Sequence, residues 1–429
     1  MSSQLTGTFR SLRGFNYRLW AGGTIVSNVG TWMQRIAQDW IVLTQLTHHN
    51  ATAVGWVMAL QFGPQAFLLP LTGYAADHFN RRKVMLGTQS AMGVLALILG
   101  VLCITARIQL WHVYVLALLQ GCAAAFDAPA RQTFVSELVG EADLSNAVAL
   151  NSTSFNAARM IGPAIAGVLI AVVGAGWVFL INAASFAAVI ISLCLLRVHE
   201  LHVHGSHEAP GSFLEGFRYV WRRPDLKVIL LMLFLIGTLG FNFPIFISTM
   251  SVTEFHVGAR QYGLLNSMMA IGSITGALMA ARRARPRMGV VLAAAVVFGC
   301  GFSLAAVMPT YFLFGSALVV IGACAQTFTT STISLLQLST NPGMRGRVMA
   351  IALAVTLGSM PIGSPIVGRV VDAFGPRWAL LLGAASGFAA ALAGAHYLYK
   401  YRHLRVRIED GRLRFSLQPI GATLTDFRI

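Results

Sequence analysis

Long apolar runs, each closed by a short polar break, recur from one end of this chain to the other. A bilayer core of about 30 Å is crossed by about 20 helical residues. Runs of that length stand near 20–44, 52–76, 84–106, 111–134, 147–171, 175–197, 226–250, 261–281, 289–308, 311–333, 348–371 and 377–399. Lipid offers no partner to backbone N–H and C=O groups, so a crossing segment must close its own hydrogen bonds as a helix. A closed strand barrel would instead alternate apolar and polar residues over segments of about ten, which these runs do not. The pattern predicts an all-α membrane protein with twelve transmembrane helices.

The longest polar break divides six runs from six, which predicts a first six-helix half at 1–197, a linker at 198–224, a second half at 225–400 and a tail at 401–429. From the fourth run onward the halves repeat at a constant offset. Gly121 matches Gly322, Gly162 matches Gly363, Gly167 matches Gly368, Gly174 matches Gly375, Trp177 matches Trp378, and Ala183-Ala184-Ser185 returns as Ala384-Ala385-Ser386. Repeats of this kind build transporter folds in which two pseudo-symmetric halves share a midplane cavity.

Composition removes the soluble alternative. Only 11% of residues are charged, against about 25% in ordinary soluble domains. With 56% hydrophobic residues and a mean hydropathy of +0.68, one water-soluble core cannot hide the apolar surface. The net charge of +16 would fit nucleic acid if the basic residues formed one patch. They lie instead between the runs. If the N-terminus is placed in the cytoplasm, all but six of the 31 lysines and arginines fall on the cytoplasmic side, the exceptions being Arg35, Arg107, Arg159, Arg260, Arg369 and Arg377. Basic loops stay inside, so both termini are expected in the cytoplasm of a bacterial inner membrane, with no nucleic-acid partner.

The first run is too long and too polar within for a cleaved signal, and is expected to remain as the first helix. The five cysteines sit inside apolar runs without paired spacing and read as packing residues, not as a disulfide set or zinc site. His199, His202, His204 and His207 cluster in the linker, where an incidental cluster outweighs a metal site. No metal and no cofactor is expected.

Gly73-Tyr-Ala-Ala-Asp77-His-Phe-Asn80-Arg81-Arg82-Lys83 follows the second run. Here the chain resembles the major facilitator superfamily, whose signature in this loop is glycine, three residues, aspartate, a turn and a basic run. Gly73 is expected to permit close helix approach, Asp77 to cap a neighbouring helix, and Arg81 and Arg82 to complete a conformational latch. Asn80 stands where the family has glycine, a substitution that asparagine's tolerance of positive φ would allow. The second half has Gly276 and a basic run but Ala280 in place of the aspartate.

Ala158-Arg159-Met-Ile-Gly162-Pro163-Ala-Ile-Ala166-Gly167 resembles the glycine-proline element of antiporters and exporters in that superfamily, with ordinary small-residue packing as the alternative. Three further stretches narrow the resemblance to the bacterial subgroup of enterobactin exporters and transmembrane secretion effectors: Phe126-Asp127 to Arg131-Gln132, Gly30-Thr-Trp32-Met-Gln34 and Arg345-Gly-Arg347-Val-Met349. One departure is Ala117, where the drug-antiporter signature has arginine. The resemblance implies the facilitator fold, a midplane cavity lined by the first, fourth, seventh and tenth spans, and monomers.

Ionisable residues within a span cost at least about 2.5 kcal/mol on insertion scales, so each is a functional candidate. Asn28, Thr31, Arg35 and Asp39 share one face of the first span. Either Asp39 carries a proton with Arg35 beside it, or the two neutralise each other. Arg159 either meets the solute or binds carbonyls at a kink, with Asn156 on its side of the helix. Asp127 is a second proton candidate, and equally a partner of Arg81 or Arg131. Asn242 and Gln326 are candidate cavity residues. Gly162, Pro163, Pro244, Pro361 and Pro365 are expected to kink or interrupt their helices.

These readings converge on a secondary transporter, a proton-driven exporter of a bulky amphipathic small molecule such as a siderophore, drug or secondary metabolite. Its partners are then that solute, protons and membrane lipids. A proton-coupled nutrient importer and a lipid-moving or signalling protein on the same fold stay open. No Gly-rich phosphate loop, His-x4-Asp or Gly-x-Ser-x-Gly run is present, so neither ATP use nor an enzyme is expected.

Overall fold

The computed structural model describes residues 7, 9–202, 213–282, 287–402, 404–409 and 412–417. The first half holds α1 (Phe15–Ile41), α2 (Ala51–Phe67), α3 (Leu69–His78), α4 (Arg81–Ile104), α5 (Leu110–Leu138), α6 (Glu141–Val173) and α7 (Ala175–Cys194). Then come α8 (Phe213–Arg222), α9 (Pro224–Leu235), α10 (Phe243–Thr249), α11 (Ala259–Ala281), α12 (Met288–Val307), α13 (Tyr311–Ser339), α14 (Arg345–Phe374) and α15 (Pro376–Arg402).

Among the described residues, 10 helical runs are long and apolar enough to cross a membrane. α1 and the α2–α3 pair complete the twelve segments, and each misses that measure for a local reason. α1 carries Asn28, Gln34, Arg35, Gln38 and Asp39 among its apolar residues. α2 stops at Phe67 because Pro70, in the first turn of α3, lacks the N–H that would continue the ladder.

The repeat is visible in the backbone. Gly174 and Gly375 lead into α7 and α15 with φ of 90° and 95°, a geometry that glycine adopts without a Cβ clash. Wide i→i+5 turns end α1 at Val42–Leu46 and α10 at Met250–Glu254, and each is followed by a histidine at positive φ, His49 and His256. A third wide turn, Ile236–Gly240, precedes a break at 241–242. α6 continues through Pro163 and α14 through Pro361 and Pro365, so the expected interruption occurs at the Pro244 segment alone. Neighbouring helices and local backbone adjustment tolerate proline within a membrane helix.

The chain forms two compact units. One comprises Met1–Ala209, Phe243–Ala270 and Ser364–Pro376. Near its basic loops lies a buried cluster of Tyr17, Trp20, Met85, Phe134, Leu138 and Leu193, where the Tyr17 hydroxyl donates to the Ala147 carbonyl at 2.8 Å. Ser11 and Arg10 hold the N-terminal arm to the start of α6 through Asn146 and Asp143.

The other unit comprises Pro210–Asn242, Ile271–Gly363 and Arg377–Ile429. Within it, Gly387 of α15 lies against the Ala295 carbonyl of α12 at 2.9 Å from where its Cβ would stand, a backbone approach typical of membrane helices. Glu215 of α8 pairs with Arg347 at the start of α14, 2.7 Å apart. In the tail, Leu404–Glu409 and Arg412–Leu417 pair as an antiparallel hairpin, β1 and β2, which the apolar pattern does not announce.

Several expectations change. Asn80 has φ of −60° and its side chain accepts from the Lys83 N–H, so it replaces glycine as the N-cap of α4 and not through positive φ. Gly73 is exposed, and among the described residues nothing lies within 4 Å of where its Cβ would stand. Cys194 and Cys300 are exposed and free, not packing residues. The side chain of Asp77, His204 and His207 of the linker, and 418–429 of the tail lie outside the described residues.

Candidate functional site

The polar face of α1 is buried because other helices of the same unit supply its partners. The Gln34 amide donates to Gln120 of α5 at 2.8 Å, and Asn182 of α7 donates to Gln34 in turn. Gly30 lets α7 come this close, since a Cβ there would strike Asn182 and Ser185. One turn further along α1, the Arg35 guanidinium lies 4.7 Å from the Trp32 ring and 5.3 Å from Phe62 of α2. Its Nε is buried without a hydrogen-bond partner among the described residues. Arg159 of α6 approaches the same indole at 5.7 Å. Neither arginine makes an ion pair among the described residues.

Three carboxylates among the described residues are buried: Asp39, Asp127 and Glu137. Asp127 pairs with Arg131, Nε to Oδ2 at 3.0 Å, and also accepts from Thr88 and Gln89. Glu137 takes Arg81 at 2.6 Å. Asp39, 7% exposed, has no cation within ion-pairing distance among the described residues and accepts from the Tyr262 hydroxyl of α11 at 3.3 Å. Trp40 stacks on the Tyr262 ring, with centroids 6.0 Å apart. Arg35 and Asp39 interact through space but do not form a bonded pair.

The remaining predicted residues divide. Asn28 shares the α1 face, but its carbonyl oxygen accepts from Arg131 at 3.0 Å and so belongs to the Asp127 network. Asn156 donates to the Ser152 carbonyl of its own helix. Arg82 donates to the Leu193 carbonyl at 2.7 Å, capping the end of α7. With Arg81 on Glu137, both arginines of the basic run bind within the first half. In the second unit, Asn242 is fully buried and donates to the Thr238 carbonyl, and Gln326 donates to Thr330 at 3.2 Å.

At the helix ends remote from the basic loops, the first unit is closed by interlocked backbones. Gly167 of α6 meets the Ala259 carbonyl of α11, and Gly263 of α11 meets the Pro163 carbonyl of α6. In the same way Gly368 of α14 meets Ala51 of α2, and Gly55 of α2 meets the Ser364 carbonyl of α14. Asp372 adds a charged cap, accepting from the Ala51 and Thr52 N–H groups at 2.7 and 2.9 Å. Tyr262, the donor to Asp39, stands next to Gly263 of the first of these interlocks in sequence.

Sequence reasoning missed Tyr262, Gln120, Asn182 and Asp372. A hydroxyl or amide inside an apolar run is the available signal, but it does not name a partner on another helix.

The model of the transmembrane secretion effector family matches residues 6–423. The staphyloferrin A transporter of Staphylococcus aureus is 27% identical over 352 residues, covering 81% of this chain and 87% of that protein. The enterobactin exporter EntS of Shigella flexneri is 25% identical over 388 residues, covering 90% of each. Among solved structures the nucleoside transporter NupG superposes with a TM-score of 0.70 at 16% identity, covering 89% of this chain and 98% of that one, a likeness of fold. A match across nearly the whole length, on a fold of apolar helices shared with facilitator structures, places the chain in the transmembrane secretion effector family of major facilitator superfamily transporters.

Proposed function

We propose that this protein is a proton-driven exporter of a bulky amphipathic small molecule, working by alternating access, with Asp39 as the proton carrier. The observation that carries the assignment is the contrast among the buried carboxylates. Asp127 and Glu137 are neutralised by arginines, whereas the donor to Asp39 among the described residues is the neutral Tyr262 hydroxyl and not a cation. Its donor Tyr262 comes from the second half of the sequence, so the state of one carboxyl group bears on a contact between first-half and second-half helices. The charged and titratable groups that act on it are Tyr262 and Arg35, and Arg159 acts on Arg35 in turn. Arg159 offers a donor to acceptor groups on the solute, with Trp32 and Phe155 as apolar wall.

Export is preferred over import because one relative is named an exporter of a siderophore and another a siderophore transporter. A siderophore-like solute is the first choice on the same ground. The inner membrane of a bacterium, cytoplasmic termini and a monomeric carrier complete the proposal. The test is dye efflux from energised cells, with and without a protonophore, for wild type and Asp39→Asn. Wild type extrudes dye, the protonophore stops it, and Asp39→Asn at equal expression loses the gradient-driven part. Efflux that survives in Asp39→Asn with its protonophore sensitivity intact removes Asp39 from the mechanism.

A further inference from the structure

α8 lies immediately before the point at which the chain enters the apolar α9, with only Arg223 between the two helices. Its sequence splits into two faces. Gly216 and Val220, buried four residues apart, form the inner side, with Gly216 against the Arg347 side chain. Phe217 and Trp221, also four apart, stand out at 50% and 65% exposure with their rings stacked 5.6 Å apart. Arg218, Arg222 and Lys227 are exposed around them, and the Lys227 ammonium lies 5.6 Å from the Trp221 ring.

Among the described residues, the acids nearby leave these three cations uncompensated. Glu215 is taken by Arg347 and Asp225 by Arg223. Arg218 and Arg222 make no ion pair among the described residues. An exposed aromatic pair ringed by cations, held at the depth where a helix enters the bilayer, matches the membrane–water boundary. Aromatic rings favour that depth, and basic side chains reach to the headgroups.

We infer that α8 is an interfacial helix whose Arg218 and Arg222, together with Lys227 in the first turn of α9, bind anionic lipid headgroups, with Phe217 and Trp221 inserted at the acyl boundary. Charge complementarity selects the anionic lipid over zwitterionic neighbours, each basic residue near the surface being worth about a fivefold preference. Because Glu215 and Gly216 both rest on Arg347, a headgroup on α8 also bears on the start of α14.

The test uses the purified full chain in vesicles of phosphatidylcholine that carry a small fraction of either brominated phosphatidylglycerol or brominated phosphatidylcholine. The readout is quenching of Trp221, taken as wild type minus Trp221→Phe. Brominated phosphatidylglycerol is expected to quench Trp221 several-fold more than brominated phosphatidylcholine. In Arg218→Gln/Arg222→Gln/Lys227→Gln that preference falls toward parity. In Arg218→Lys/Arg222→Lys it survives, because charge suffices for a headgroup. Equal quenching by both lipids in the wild type overturns the inference, as does a preference that persists in the glutamine variant. A Trp221 quenched by aqueous acrylamide and by neither lipid also overturns it, and assigns the face to a soluble partner. Monodisperse gel filtration of each variant confirms folding, and none of these outcomes depends on efflux.

Discussion

The Asp127 carboxylate accepts from Thr88, Gln89 and Arg131, and Arg131 donates onward to Asn28. Removing the carboxylate strands a guanidinium whose remaining bonded partner is one amide, and breaking a buried pair on one side costs about 3 kcal/mol or more. Asp127→Ala is therefore expected to unfold well below wild type in a thermal scan of purified protein. Asp127→Asn keeps an acceptor and should fall between the two, with its gradient-driven efflux intact. Loss of proton coupling in a stable Asp127→Asn would transfer the carrier role from Asp39. The Asp127–Arg131 pairing was legible in the sequence because the two stand one helical turn apart. The role of Asn28 was not, because the residue that claims it is 103 positions away and sequence periodicity gives a face without its partner. Tyr262 was hidden for the same reason: a tyrosine in an apolar run reads as packing until Asp39 is found beside its hydroxyl.

Helices α6 and α14 approach α11 and α2 so closely that carbonyl oxygens stand where glycine side chains would be. A methyl at Gly167 would sit 2.6 Å from the Ala259 carbonyl, and one at Gly368 would sit 2.6 Å from that of Ala51. Backbone cannot swing aside as a side chain does, so the helices must separate, at about 1–3 kcal/mol for overpacking of this kind. Gly167→Ala and Gly368→Ala are each expected to lower thermal stability and slow efflux. Gly87→Ala, with open space around it, should do neither. Wild-type behaviour of both interlock variants would mean that this closure is looser than its geometry. The glycines themselves were legible as a repeated pattern, Gly162-x4-Gly167 returning as Gly363-x4-Gly368. Their contacts were not, because the offset pairs equivalent residues of the two halves and not residues that touch. The Asp372 cap had no first-half counterpart to reveal it, since Ala171 stands at the matching position. The break within the second apolar run was visible only as Pro64 and Pro70. Prolines at Pro163, Pro361 and Pro365 left their helices continuous, so proline by itself did not decide where a membrane helix stops.

Hydropathy marked the helical segments of this chain because lipid makes helix obligatory, and the two weakest are weakened by the polar residues of α1 and by the break between α2 and α3. Which end of each helix faces the cytoplasm is a separate question, and the proposed orientation rests on charge. The connections at 47–50, 255–258 and 308–310 contain no lysine or arginine, whereas those at 79–83, 282–287 and 340–347 all do. Retention of basic residues during insertion fixes orientation loop by loop. The same sign at three connections of each set makes a mixed orientation costly at several places together. His48 and Gly343 are exposed turn residues belonging to opposite sets. With the five native cysteines replaced by serine, His48→Cys should react with a membrane-impermeant maleimide in intact cells. Gly343→Cys should react only after permeabilisation. The reverse pattern would put the basic loops outside, reverse the direction in which an inward proton meets Asp39, and turn the proposed exporter into an importer. Labelling of both sites in intact cells would deny a single orientation altogether, and with it the assignment of any gradient to the transport cycle.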